Sequence, residues 1–203
     1  MIMSAAEIAQ RLRGETGGED DRLVITPQPE LDAIEKSGSA SVDLRLGTWF
    51  VSPRPRTTAL LDIYSEDIAE HSEARLTKTT YIPFSKRFIL HPRSFVLGVT
   101  LEWVRLPKDL AAYVVGKSSW GRRGLIIATA TGVHPSFSGC LTLELANVGE
   151  VPIAVRPGMQ ICQLFLHKTT PTPYTDRSAF VGLGRPVLGL LEPDGIARRL
   201  SSS

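Results

Sequence analysis

Apolar residues in this chain come in short runs cut by glycine and proline. The runs span 48–51, 81–83, 87–90, 95–101, 110–115, 125–130, 140–146, 151–155 and 160–167. Several alternate with polar positions, as in Leu141-Thr142-Leu143-Glu144-Leu145. They recur about every ten residues, with turn-forming stretches such as Arg156-Pro157-Gly158 between them. This pattern predicts an all-β domain, a sandwich, barrel or jelly roll. Helical spacing is confined to residues 1–14, through Ile2, Ala5, Ala6, Ile8, Ala9 and Leu12, and to 63–76. Residues 14–21 are polar and glycine-rich and read as a loop. The pattern predicts one domain over 1–168. Residues 169–203, with Pro171, Pro173, Pro186 and Pro193, follow as a tail that acts as a lid or a swapped arm.

Composition narrows the function classes. Of 203 residues, 42% are hydrophobic and 22% charged, values of an ordinary globular domain with a core. No run reaches the ~18 apolar residues of a membrane span. The N-terminus lacks a charged-then-apolar leader pattern, so a cytoplasmic protein without membrane contact is expected. Net charge is +2, from 23 Lys+Arg against 21 Asp+Glu, which argues against a nucleic-acid partner and confines anion binding to local sites. Cys140 and Cys162 are too few for a disulfide framework or a cysteine-rich zinc site, and read as buried thiols.

Two segments carry chemistry. In Val115-Gly116-Lys117-Ser118-Ser119-Trp120-Gly121-Arg122-Arg123-Gly124, an apolar run ends in glycine and is followed by cations and hydroxyls. Such a turn either holds a phosphate or is a solvated basic turn. Its spacing is not that of a P-loop. In the second segment Glu144 interrupts an alternating strand and shares a face with Thr142 and Ala146. It is either a solvent-facing residue or a carboxylate placed for proton transfer.

Four blocks occur in order: Ser41-Val42-Asp43-Leu44-Arg45-Leu46-Gly47; Gly116-Lys117-Ser118-Ser119 with Arg122; Phe137-Ser138-Gly139 leading to Leu141-Thr142-Leu143-Glu144; and Arg156-Pro157-Gly158-Met159 with Ile161, Gln163 and Leu164. Together they resemble the dCTP deaminase branch of the dUTPase-like superfamily over roughly 23–166. The resemblance implies a distorted β-barrel or jelly-roll (β-clip) subunit with a short N-terminal helix. It also implies a homotrimer whose active sites are shared between copies. It implies zinc-independent hydrolytic deamination of a deoxycytidine nucleotide, dCTP to dUTP and ammonia, feeding dUMP and dTTP synthesis. Glu144 would act as general base and acid, while Ser118 and Arg122 shape the water site. Lys117 and Ser119 would hold phosphates carrying Mg²⁺, with no metal ligand from the protein. Main chain near Thr142 and Leu143 would read the base. Gln163, His134 and Tyr174 would also touch the nucleotide. Zinc deaminases use H-x-E with P-C-x-x-C, whereas here His134 is followed by Pro135 and the chain has no C-x-x-C. Its four histidines (His71, His91, His134, His167) read as surface or hydrogen-bonded residues.

Three departures from the family pattern stand out. His134 occupies the loop position where relatives carry an aspartate that meets the sugar. Ala179 and Leu183 stand where lid residues Lys and Gln are expected, with Arg177 or Arg185 as possible substitutes. Trp120 replaces a smaller residue and is expected at a trimer interface. The alternatives are a bifunctional enzyme that releases dUMP, or a nucleotide-binding regulatory protein. Asp43 is expected to form an ion pair within the subunit, and Phe137 to flank the pocket or join the core.

Overall fold

The computed structural model describes residues 1–16, 22–54, 76–128, 132–171, 181–189, 196 and 199–200. Among them, α1 (Ala5–Arg13) and β1 (Val24–Thr26) precede α2 (Leu31–Ser37), β2 (Ser41–Arg45), β3 (Trp49–Pro53) and β4 (Thr77–Tyr81). Next come β5 (Phe88–Leu90), β6 (Phe95–Arg105), β7 (Leu110–Gly116), the single-turn α3 (Ser118–Gly121) and β8 (Leu125–Ile127). The last strands are β9 (Gly132–Val133), β10 (Ser138–Asn147), β11 (Ile153–Val155) and β12 (Gln160–Lys168). The expected all-β architecture with a short N-terminal helix is therefore present. No helix among the described residues is long and apolar enough to cross a membrane.

Every strand pairing among the described residues is antiparallel. One sheet runs β4-β3-β6-β10-β8 with β1 also on β6, a second runs β2-β12-β7-β9, and β5 pairs with β11. The two larger sheets enclose one apolar core. Val96, Leu143 and Leu145 enter it from the first, and Val42, Val114 and Leu164 from the second. This is a distorted barrel of jelly-roll type. The sheets meet where β2 runs out across β6: Gly47 N–H donates to the Val99 carbonyl at 2.7 Å. A Cβ on Gly47 would lie 3.0 Å from the carbonyl oxygens of Val99 and Thr100, so the motif glycine is required by close approach.

α1 forms where helical spacing predicts it. Ser4 and Glu7 make a capping box, and Ala5, Ile8, Ala9 and Leu12 form its buried face. The Lys168 ammonium, with help from Ser4, pulls the Glu7 carboxyl down to about 2. Helix α2 was not expected. It has no side-chain cap and buries Ile34 alone, so it offers little periodic signal. Strand β4, Thr-Lys-Thr-Thr-Tyr, is also too polar to show as an apolar run. The expected helix at 63–76 lies outside the described residues except for Leu76. Cys162 is fully buried, which pushes its thiol up to about 12, and burial also raises that of half-buried Cys140. Both are free thiols.

A turn over His91–Ser94 closes with Ser94 N–H donating to the His91 carbonyl at 3.1 Å. Arg93 stands in its third position with φ of 63°. After Pro92 this is the position that favours glycine. Arg93→Gly is therefore expected to stabilise the fold by about 0.5 kcal/mol, whereas Arg93→Ala should bring no gain. Thermal melts of the two variants beside the native protein check this.

Candidate active site

Strand β10 supplies one half of the site. Its burial alternates without interruption from Ser138 to Asn147. Leu141, Leu143, Leu145 and Asn147 face the core, at 6%, 0%, 0% and 1% exposure. Cys140, Thr142, Glu144 and Ala146 lie on the opposite, half-buried face. This follows from period-two geometry once the leucines are committed to the core. The Leu143 side chain is in the core, and the role expected of this residue concerns its main chain alone. Phe137, at 6% exposure, is a core residue rather than a pocket wall. The Glu144 carboxylate makes no hydrogen bond or ion pair among the described residues.

One edge of β10 pairs with β6 along its length. On the other edge, β8 pairs with Leu145–Asn147 and Ala128 N–H donates to the Glu144 carbonyl at 3.0 Å. Near the start of the strand, Gly182 N–H donates to the Ser138 carbonyl at 2.7 Å, and Cys140 N–H to the Leu183 carbonyl at 2.9 Å. Between these two covers, the main chain of Thr142 has no strand paired to it on that edge among the described residues. An open stretch of strand edge offers donors and acceptors to a planar polar ligand.

The second half lies on β2, β7 and β12. Strand β7 ends at Gly116, and Lys117 N–H donates to the Ile161 carbonyl at 3.1 Å. Its own carbonyl accepts from Trp120 and Gly121, closing α3. Ser118, Ser119 and Arg122 are exposed on this turn. Gly124, with φ of 87°, carries the chain on to β8, and a Cβ there would lie 2.8 Å from the Gly149 nitrogen. Trp120 packs against the core of its own chain and donates from Nε1 to the Gln160 carbonyl at 3.2 Å. It thus pins α3 to β12 within one subunit.

The Lys117 ammonium donates to Asp43 Oδ2 at 2.6 Å. The within-subunit ion pair expected of Asp43 is formed, and Lys117 is its partner rather than a free cation. Lys117 holds the turn against β2, which leaves Arg122 and Arg123 as the turn's exposed cations. Gln163 donates to Ser41 Oγ at 3.2 Å, and both line a groove of about 350 Å³ with Asp43, Arg45, Gln160 and Ile34. The Oδ1 atom of Asp43 is buried and has no partner among the described residues.

The structure therefore gathers Lys117, Ser118, Ser119, Arg122 and Gln163 around one sheet, and Thr142 and Glu144 on the other. No hydrogen bond or ion pair joins the two groups among the described residues. His134 is exposed in the loop before β10, where its carbonyl accepts from Phe137 N–H at 3.2 Å and Ser136 has φ of 68°. Tyr174, Arg177 and Ala179 lie outside the described residues. Arg185 is seated over the Trp49 ring at 4.0 Å. Sequence reasoning missed a polar group behind this face, the buried Thr100 and Glu102 with half-exposed Arg45. A charged residue in the run Val99-Thr100-Leu101-Glu102-Trp103-Val104 was the available signal.

The chain matches a family model described as dCTP deaminase-like over residues 2–169. It is 41% identical over 178 residues to a protein of Dictyoglomus thermophilum named dCTP deaminase, dUMP-forming, covering 86% of this chain and 85% of that one. A protein of the same name from Methanobrevibacter smithii is 40% identical over 161 residues, covering 77% and 79%. The crystal structure of 2′-deoxycytidine 5′-triphosphate deaminase from Agrobacterium tumefaciens shares the fold, with a TM-score of 0.57 at 22% identity. That match covers 81% of this chain and about half (47%) of that one. The chain belongs to the dCTP deaminase-like family and is, with it, a hydrolase of carbon–nitrogen bonds.

Proposed function

We propose that this protein converts dCTP and two waters to dUMP, ammonia and diphosphate. The observation that carries the reading is the match to two proteins named dCTP deaminase, dUMP-forming, at 40–41% identity across most of the chain. It replaces dUTP, the product that the resemblance alone implies. Water attacks C4 of the cytosine. Glu144 takes its proton, delivers a proton to N3 and then helps expel ammonia. The half-buried, unpaired carboxylate of Glu144 suits this shuttle. Main chain at Thr142 and Leu143 reads the base edge, and the placement of Thr142 beside the uncovered strand edge supports that role. Ser118, Ser119 and Arg122 bind phosphate and position water, with His134 at the sugar and Tyr174 and Gln163 as further contacts. Lys117 contributes by fixing the turn.

Mg²⁺ suits this site as a cation brought by the phosphates. The Asp43 carboxylate is already held by Lys117, and the turn offers hydroxyls and guanidinium groups rather than a carboxylate cage. The separation of the two residue groups on different sheets supports a homotrimer in which the turn of one copy faces β10 of the next. The working location is the cytoplasm, with a nucleotide as the small-molecule partner.

The test is product analysis with dCTP and Mg²⁺, reading ammonia, diphosphate, dUTP and dUMP together. Equal release of ammonia and diphosphate, with dUTP never accumulating, is expected. Accumulated dUTP without diphosphate would overturn the dUMP assignment and leave a simple deaminase. Tight binding without any product would favour a regulatory protein.

A further inference from the structure

Thr100 and Glu102 sit inside β6, each 1% exposed. The strand bulges there. Cys140 faces Trp103 and Thr142 faces Val99, so Thr100, Leu101 and Glu102 all stand against the single residue Leu141. Such a mismatch takes the Leu141 amide out of the regular ladder, and a buried N–H without an acceptor is destabilising. Thr100 Oγ1 provides the acceptor, at 2.9 Å from the Leu141 nitrogen. The same hydroxyl donates to the Glu102 carbonyl at 2.9 Å. The Glu102 carboxylate accepts from Arg45 twice, from its main-chain N–H at 2.8 Å and from Nη1 at 2.9 Å. The main chains of β2, β6 and β10 are thus tied at one buried point.

Glu144 lies three residues beyond Leu141, and no side chain among the described residues holds its carboxylate. Its direction is set by the main chain that carries it. We propose that Thr100 is a positioning residue for the reaction: its hydroxyl, placed by the bulge that the Arg45–Glu102 pair braces, seats Leu141 and thereby aims Thr142 and Glu144. This rests on the deaminase reading above. Thr100 touches no substrate and acts only through β10.

The experiment compares the native enzyme with Thr100→Val, which keeps shape and removes the hydroxyl, and Thr100→Ser, which restores it. Loss of aim by a fraction of an ångström is expected to lower kcat for ammonia release about tenfold or more in T100V, with KM for dCTP within about threefold. T100S should stay within about threefold of native kcat. Hydrogen exchange at Leu141–Glu144 should quicken in T100V and remain native-like in β12. A simple loss of stability would lower the melting temperature without this split or the rescue by serine. Native kcat in T100V, a change confined to KM, a serine variant as poor as the valine one, or unaltered exchange at Leu141–Glu144 would each overturn the proposal. Should T100V fail to fold, Thr100→Ala, which also removes the hydroxyl, takes its place under the same criteria. Absence of ammonia from the native enzyme would instead defeat the deaminase reading, and exchange would then judge the seat of Leu141 by itself.

Discussion

Glu144→Gln is expected to lower kcat for ammonia release by at least about a thousandfold, a barrier increase of about 4 kcal/mol. Deamination at C4 needs a proton removed from water, one delivered to N3 and one carried to the leaving amine. A carboxylate can alternate between these duties, and a carboxamide cannot. The substitution preserves shape, and Glu144 gives up no hydrogen bond among the described residues. Its fold should therefore survive, with stability changed by no more than about 0.5 kcal/mol. Binding of dCTP should persist within about tenfold, since the phosphate contacts proposed above lie on the turn after Gly116 and not on β10. Single-turnover ammonia release beside calorimetric titration with dCTP separates the two effects. A variant that releases ammonia at the native rate would remove Glu144 from proton transfer. Because the dUMP route passes through deamination, diphosphate release from dCTP should fall with ammonia, while hydrolysis of added dUTP should not.

The largest effect on stability is expected from Asn147→Leu. Asn147 ends β10 with 1% exposure. Its Nδ2 donates to the carbonyls of Leu90 and Val151, each at 2.9 Å, and its Oδ1 accepts from Gly149 N–H at 2.9 Å. One amide therefore ties β10 to β5 and to the turn that leads into β11. Leucine fills similar space but leaves three main-chain groups without their partner. At about 1–3 kcal/mol for each buried group left unpaired, with water relieving some of it, the loss should be about 4 kcal/mol. That is a large part of the ordinary stability of a domain, about 5–15 kcal/mol. Asn147→Asp keeps the acceptor for Gly149, loses both donors and buries a charge, and should be no more stable than the leucine variant. Urea unfolding of both variants checks the order and size of the effect. A loss below about 1 kcal/mol for Asn147→Leu would show that these three bonds contribute little.

Much of this architecture was legible because β structure writes itself in alternation and punctuation. The run at 140–146 predicted β10, and the odd-numbered leucines predicted which way Glu144 faces. The turn after Gly116 was legible as a polar segment because Trp120 is its one large apolar residue. Features that depend on tertiary contact were not legible. Helix α2 is short and buries one side chain, so tertiary packing decides it rather than periodicity. Whether Lys117 meets a ligand or Asp43 depends on β7 and β2 lying in the same sheet, and sequence spacing does not report that. The bond from Trp120 to the Gln160 carbonyl likewise depends on α3 folding back against β12, which sequence spacing does not report. The bulge in β6 depends on register with β10, so Glu102 looked like an anomaly in an apolar strand rather than part of a brace.

The alternation of β10 has a further consequence for anyone who wishes to redesign the pocket. On the proposed reading, folding and ligand choice fall to different residues of one strand. A combinatorial library confined to Cys140, Thr142 and Ala146 would vary the wall around Glu144 while leaving the leucine ladder of the core intact. Such a library should be rich in folded members that differ in ligand preference. Deleting a single residue between Cys140 and Glu144 would exchange the two assignments, turning leucines toward the ligand and the carboxylate toward the core. Substitutions here should therefore be tolerated far better than changes of length.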